Sequence, residues 1–598
     1  MRIKQRAGLL AVFFLILAGM SVLFSYPDAT CPVEAAAETA AETDTGKAYI
    51  NVAGHKIALW QQEGQSYAFL PSACKETGIE PQIPEGTDFD SVVWLYSEHI
   101  PAVFIDTESG TAEQIHADKN VKEAGGVSVL GADGAAAFRM PLSYIKSRGN
   151  TSFTSFEKKS YQIKFAESVP FLGMDAAKKW IFISNASDAT LLRNALTRKL
   201  AGRLGLAQSE EGVFVDLYLN GEYVGNYYVT EKVEVKENRL PITDLEEATE
   251  IANDNSDLSS FETAWTDTTK AKQIPNEPED ITGGYLIERD FAQRFLSEVE
   301  INESYFITDA KESFIVRSPE YASENQIAYI NDYIQSVENA ILAPDGIDGS
   351  SGKSYRDFID MQSFVRKYLL EEVAANYDGG VASSYFYKDK DTVSEKLFAG
   401  PIWDYDVAWG NTPPDLGYLS ASPERLTRLA AHEDASVWFA ALYEKEDFYR
   451  EMRSCYQREI SSYLPTLALE ELPQLEKTTA ASAAMDRIRW AAQYAENNDF
   501  ASREEETAFL EEFILGRKAF LDKAWIEQIP VYQIELLIEN NSHDILYVFE
   551  GEPMPKLPDA EISYAEFLGW TSEKNGLPPE YAMPVYEDMV FHADIRYP

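Results

Sequence analysis

Apolar and polar positions change period several times along the chain, and each change marks an element. Ile100 to Ile105 is a compact apolar run of buried-strand composition, Gly126 to Leu130 offers a second, and Tyr161 to Phe165 alternates as a strand does. Leu191, Leu192, Ala195, Leu196 and Leu200 fall at helical spacing, which predicts a helix over 188–204 with Asp188 as its cap and Gly202 to Gly205 as its end. Val213 to Leu219 and Tyr223 to Thr230 flank Asn220-Gly221, the pair that best suits a tight primed hairpin turn. Strand character returns at Gly283 to Glu288 and at Lys396 to Ile402. Helical spacing returns over 327–342 and at Met361, Phe364, Tyr368 and Val373. From Leu426 to about Ile526 the pattern is mostly helical, with Glu512 to Trp525 as a closing helix.

Two flanking regions read as separate modules. Residues 48–95 carry short alternating runs (49–52 and 57–60) broken by Gly and Pro, a small β-rich unit. Residues 531–598 alternate at Tyr532 to Leu536, break at Gly551-Glu552-Pro553, and resume at Phe567-Leu568-Gly569-Trp570 and Met589 to Ala593. Between the hairpin and Gly283, the acidic and polar stretch 241–282 reads as an inserted loop with little core of its own. The first residues form a targeting segment: a basic start, an uncharged apolar run from Ala7 to Phe24, then small residues. Residues 1–30 are therefore expected to be a signal peptide or an N-terminal anchor, with cleavage preferred, and 31–47 a linker. Asp28-Ala29-Thr30 does not suit lipidation of Cys31.

Charge narrows the partners. With 98 acidic against 52 basic residues in 598, the formal charge is −46, which repels nucleic acid and anionic membrane surfaces. No nucleic-acid partner is expected, and membrane contact is confined to N-terminal targeting. Such a surface serves solubility first, and it would also favour a basic protein substrate. Cys31, Cys74 and Cys455 are too few for a disulfide framework and lack metal-ligand spacing. The six histidines are scattered, with no helical His pair, nucleophile-elbow serine or long Gly-rich phosphate loop, which disfavours metalloprotease and hydrolase chemistry.

Candidate chemistry lies at two chain reversals. Asn376-Tyr377-Asp378-Gly379-Gly380 ends the helix that contains Phe364 and Tyr368, and Trp403-Asp404-Tyr405-Asp406 follows a strand. Carboxylates brought together from two such turns stay ionised only beside a divalent cation or a shared proton. Upstream, Lys146 to Ser152 is a hydroxyl-rich loop containing Gly149, a kind that can face phosphates. Taken singly, each has an ordinary structural explanation: Asp378 capping a turn, Asp404 pairing with Arg148, Lys164 exposed on a strand, Glu231 as a strand-end charge.

Together the runs IKSRGNTSFTSFEKKSYQIKF, WIFISNASDATLLRNAL, VDLYLNGEYVGNYYVTEKVE, NYDGGVASSYFYKD and KLFAGPIWDYDVAWG, in that order, resemble the spore coat protein H (CotH) kinase family. The resemblance implies an α+β, atypical protein-kinase-like two-lobed fold over 96–530. It implies a secreted or surface kinase that transfers phosphate from ATP to serine of a protein. On this basis Arg148 and Lys164 are expected at the nucleotide phosphates, Glu231 at the hinge that meets adenine, and Asp378 at the acceptor hydroxyl. Asp404 and Asp406 are expected at Mg2+ or Mn2+. A kinase catalytic loop carries a metal-binding asparagine about five residues after its aspartate. Here Ser383 or Ser384 stands there, so Asn376 is the substitute ligand. The 531–598 unit resembles the β-grasp repeat of bacterial surface internalins. The alternative function is therefore an inactive kinase-like binding or adhesion protein of the cell surface.

Overall fold

The computed structural model describes residues 48–83, 91–291, 303–411, 422–426, 436–497, 502–560 and 562–597. The expected signal or anchor, the linker and Cys31 lie outside them. Among the described residues no helix is long and apolar enough to cross a membrane. Cys74 and Cys455 are free, buried thiols, as a packing role requires.

The small N-terminal unit forms a hairpin, β1 (Tyr49–Val52) with β2 (His55–Ala58), and a three-stranded sheet of β3 (Trp60–Gln62), β4 (Gln65–Leu70) and β5 (Val92–Tyr96). Seven strands then close a barrel: β6 (Ala102–Thr107), β7 (Glu123–Leu130), β8 (Ala136–Arg148), β9 (Ser160–Phe171), β10 (Met174–Ile183), β11 (Val213–Leu219) and β12 (Glu222–Glu231). Only the β6–β11 pair in it is parallel. The predicted hairpin is present, with Asn220 and Gly221 at φ 51° and 79°, the left-handed values a primed turn needs. Ile145, Ile163, Phe165, Trp180, Phe182, Tyr227 and Val229 fill the interior. Because strand side chains alternate, the intervening residues line the outer wall. Cross-strand pairing sets Lys146, Gln162, Ile181 and Thr230 in one row of that wall, and Tyr144, Lys164 and Lys179 in the next.

The outer wall faces a second, antiparallel seven-stranded sheet in the order β13-β14-β16-β17-β15-β18-β19. Its strands are β13 (Thr263–Trp265), β14 (Thr269–Lys272), β15 (Tyr285–Arg289), β16 (Tyr305–Ile307), β17 (Ser313–Ser318), β18 (Ser384–Lys388) and β19 (Leu397–Ala399). Helices α1 (Arg193–Leu204), α2 (Glu324–Leu342) and α3 (Met361–Ala374) bury their apolar residues in one core beside it. The stretch 241–282 differs from its expected loop character. It holds a helix (Leu245–Ala252) and both β13 and β14, with Leu245 and Ala271 in the main core. Its polarity misleads because β14 is tied down by polar groups: Lys272 donates to Ser259 O at 2.7 Å and Phe261 O at 3.0 Å.

Two C-terminal helices tie the barrel to the rest. On α4 (Leu472–Arg489), Ser482 donates to Asp216 at 2.6 Å, and Asp486 pairs with buried Lys158 at 2.6 Å while accepting Asn226 N–H at 2.8 Å. Gly225 is required here, since a Cβ would lie 2.2 Å from the Asp486 carboxylate. On α5 (Arg503–Leu521), Arg503 donates to Thr190 O at 3.1 Å. The last unit has its own core around Ile534, Leu536, Trp570 and Phe591. Its mixed sheet has the order β21-β20-β23-β22, from β20 (Val531–Ile538), β21 (Asn541–Phe549), β22 (Glu566–Ser572) and β23 (Met589–Arg596). Phe549 docks it on α5, with its ring 5.1 Å from that of Phe520.

Removing one member of a buried pair strands the other charge, at a cost of about 3–5 kcal/mol. Lys158→Ala is therefore expected to lower the free energy of urea unfolding by about that amount; a loss under about 1 kcal/mol would mean that the α4 contact does not carry the barrel.

Candidate functional site

The turn after α3 is shaped by its carbonyls. The helix ends with Ala375 in the left-handed region, φ 47°, and its last carbonyls find donors from afar: Arg517 to Val373 O and Glu372 O, Trp409 N–H to Ala374 O, Arg425 to Ala375 O. The chain then turns tightly over Asp378–Gly380, where Gly379 is needed because a Cβ would lie 2.5 Å from Glu371.

Asp378 sits in that turn without a hydrogen bond to its carboxylate from any described residue. A turn cap would show the opposite, a backbone N–H donating to the side chain. Burial, followed by the charges of Asp404, Asp406, Asp290 and Glu371, pushes its pKa well above the usual carboxylate range.

Asp404 and Asp406 come from the loop after β19. Asp404 has φ 66°, and its carboxyl is raised to about 7 by burial and by Asp406, against the pull of Arg148. Asp406 is raised too, chiefly by burial, while the Ser187 hydroxyl that donates to it acts the other way. The ambiguity between the two serines resolves in favour of Ser383. Its hydroxyl lies 3.5 Å from Asp404, whereas that of Ser384 donates to Gly379 O at 3.0 Å.

Asn376 is buried and donates to Glu371 at 2.8 Å. Its amide oxygen is buried with no donor. Asn376, Asp378, Asp404 and Asp406 thus come from the two reversals singled out in the sequence, and carboxylates from both fall within one another's field. Arg148 joins them from β8, its guanidinium stacked 4.8 Å over Trp403 and drawn toward Asp404 and Glu288. It makes no direct ion pair with Asp404.

Lys164 and Glu231 lie elsewhere. Lys164 is four residues along the strand register from the Arg148–Ser160 pair, roughly 13 Å away. It sits among Lys122, Lys178 and Lys179, whose charges add to burial in lowering its pKa. Glu231 is buried in an ion pair with Arg239 at 2.6 Å, and Arg239 stacks on Trp180. Its side chain is thereby committed to the segment after β12.

One other cation is better placed. Lys146 is two residues from Arg148 on the same face of β8, about 7 Å along the strand, and burial with Lys122 and Arg148 lowers its pKa. Lys232 follows Glu231, the cross-strand partner of Trp180, and so stands level with Lys179 and Lys164; burial and then Lys179 lower its pKa to about 8. Neither makes an ion pair with a described residue. The alternation Tyr144, Lys146, Arg148 was the sequence signal for the first of them. An apolar cluster of Ile181, Val233, Val235, Leu240, Leu286, Tyr385 and Trp403 bridges barrel and second sheet beside these cations. On the same outer wall the buried Thr230 hydroxyl has no partner among the described residues.

A model of the CotH kinase protein family matches residues 145–521. The chain belongs to the CotH kinase family. The match takes in every predicted site residue from Arg148 to Asp406 and excludes both terminal modules. No curated protein matches the chain. As a CotH kinase family member it is a kinase-like protein of mixed α and β structure, and the family implies a nucleoside triphosphate and a divalent metal in general terms.

The residues fit both. Asn376 offers an orphaned amide oxygen, and Asp378, Asp404 and Asp406 repel one another in a buried setting that a cation relieves. Among the described residues no three His, Cys, Asp or Glu side chains form a complete cage. Mg2+ does not require one, since it keeps waters and phosphate oxygens beside one or two carboxylates. Lys146 and Arg148, which make no ion pair with a described residue, suit the phosphates.

A carboxyl whose folded pKa is raised binds more protons folded than unfolded, so metal-free stability falls as pH climbs from the unfolded value near 4 through about 7. In thermal melts without divalent ions between pH 5 and 8, Asp404→Asn should lose less of its melting temperature than the parent. Parallel curves would show that Asp404 is not held protonated.

Proposed function

We propose that this protein transfers the γ-phosphoryl group of ATP to a serine hydroxyl of a protein substrate, with Mg2+ or Mn2+ as the metal, outside the cell or at its surface. The observation that carries the reading is the Asp378 carboxylate. It is presented in a tight turn, bonded to nothing that would make it structural, beside Asp404 and Asp406.

In this reading Asp378 orients the acceptor hydroxyl and takes up its proton as phosphoryl transfer proceeds. Asp404 and Asp406, with Asn376, hold the divalent ion, which when bound neutralises charge on the phosphates. Arg148 and Lys146 bind and orient the phosphates, work that is mostly positioning. The apolar cluster around Leu286 and Trp403 excludes water and takes the base, with the Thr230 hydroxyl free to bond it. Export rests on the basic and apolar start of the sequence. The net charge of −46 favours a basic acceptor protein.

One observation favours a second reading, a kinase-like surface binding protein without turnover. Ser383 occupies the place beside Asp404 where a stronger metal ligand would stand. The appended C-terminal sheet, read as an internalin-type β-grasp module, would then serve display or adhesion.

The test is phosphoryl transfer from labelled ATP to a panel of secreted proteins with Mg2+ or Mn2+. Asp378→Asn should fold and bind nucleotide like the parent while turnover drops about 10²–10⁴-fold, the usual share of a general base. Wild-type turnover in that variant rejects the role. Asp404→Asn should instead lose metal-dependent nucleotide binding in calorimetry. No transfer by the unmodified protein with either metal would leave the binding-protein reading.

A further inference from the structure

We infer that Asn194, at the start of α1, is a positioning residue that fixes the backbone of Asp404 and so aims its carboxylate into the site. The inference rests on the proposed metal-binding role of Asp404 and Asp406.

Asp404 holds a left-handed φ of 66°, a conformation that costs a non-glycine residue free energy and persists only where neighbours fix it. The next peptide is what gets fixed. Tyr405 N–H donates to Asn194 Oδ1 at 3.0 Å, and both residues are buried. Asn194 is itself oriented: its Nδ2 donates to Asn185 Oδ1 at 3.0 Å, and Asn185 Nδ2 donates to Leu191 O at 3.0 Å. This relay leaves one sensible orientation for each amide, with the oxygen of Asn194 toward the loop.

The rest of the segment grips the same loop. Ser187 donates its hydroxyl to Asp406 Oδ2, and Asn411 Nδ2 joins Ser187 O at 3.0 Å to Asp406 O at 2.6 Å. Arg193 Nε reaches Ala408 O at 3.1 Å while its other nitrogens are held by Asp188 at 2.5 Å and Glu506 at 3.0 Å. Trp409 Nε1 closes the set on Thr197 Oγ1 at 2.8 Å. The cavity at this joint, between Asn194, Arg198, Trp403 and Asp404, measures about 10 Å3, room for no more than one water.

In protein kinases a glutamate near the active site holds the strand lysine. Helix α1 carries no acidic residue. It spends its first turn on the metal loop, so the Asn194 contact does for Asp404 what outer-shell hydrogen bonds do for other metal ligands.

The experiment measures Mn2+ binding to the full chain by electron paramagnetic resonance, with and without a non-hydrolysable ATP analogue, and the metal-free affinity for that analogue. Asn194→Ala should weaken Mn2+ about tenfold, within the span found for lost outer-shell partners. Metal-free nucleotide affinity should stay within about twofold, a split that general loosening of the fold would not produce. Ser187→Ala, on a partly exposed residue, should weaken Mn2+ about threefold, the size of one hydrogen bond, and it decides the matter alone if Asn194→Ala does not melt cooperatively. Lys199→Ala, on the outer side of α1, should change nothing. If Asp404→Asn loses Mn2+ while the Asn194 and Ser187 variants keep it within twofold, the inference fails and the metal site stands. Parent-like Mn2+ binding by Asp404→Asn overturns both.

Discussion

Glu371 is the interaction on which the site depends. It lies fully inside the protein on the last turn of α3, neutralised by Lys367 at 2.5 Å. One carboxylate oxygen accepts the Tyr405 hydroxyl at 2.6 Å and the other accepts Asn376 Nδ2 at 2.8 Å. Both reversals that carry chemistry are therefore referenced to one side chain, one turn of helix from its counter-ion. An uncompensated buried carboxylate would be prohibitively costly; here three donors hold it, and the distance between the two loops is set by the length of a glutamate.

Around that anchor the charges are sorted. The carboxylates of Asp378, Asp404 and Asp406 are crowded together. Arg148 and Lys146 stand on one strand of the barrel wall with no ion pair to a described residue. This separation of cations from carboxylates is what supports the proposed binding of a phosphate together with a metal. The protein's large net negative charge makes this local reserve of positive charge more telling, because other lysines here find carboxylates, as Lys199 does in Glu211 and Lys236 in Asp244.

Much of this was legible in the residues. Barrel strands β6, β7, β9, β11 and β12, the Asn-Gly hairpin, α2, α3 and the two reversals follow from period and turn chemistry, because each is a local pattern read over a few residues; β10 was not read, and the end of β8 at Lys146 to Arg148 looked like a loop because it is polar. The order of five motifs led to the family, and the match over 145–521 bears that out. Harder to read was whatever depends on register. Lys164 looked like a phosphate-binding lysine by order in the chain, yet pairing with Tyr144 and Lys179 sets it far from Arg148. Lys232 and Glu231 are adjacent, and strand alternation sends one outward and commits the other to Arg239. The stretch 241–282 looked like a loop because polar residues there make buried hydrogen bonds, which composition cannot distinguish from exposure to water. The grip of α1 on the Asp404–Trp409 loop joins residues more than 200 positions apart, and no local pattern encodes it.

The contacts of α4 and α5 with the barrel have a mechanical consequence. Lys158, Asp216 and Asn226 fasten the barrel to α4, and the segment after β10 is fastened through Thr190 to α5. The barrel is thus held by side chains of a helix far downstream as well as by its own chain, so a change at α4 reaches it without passing along the strand that leaves β12.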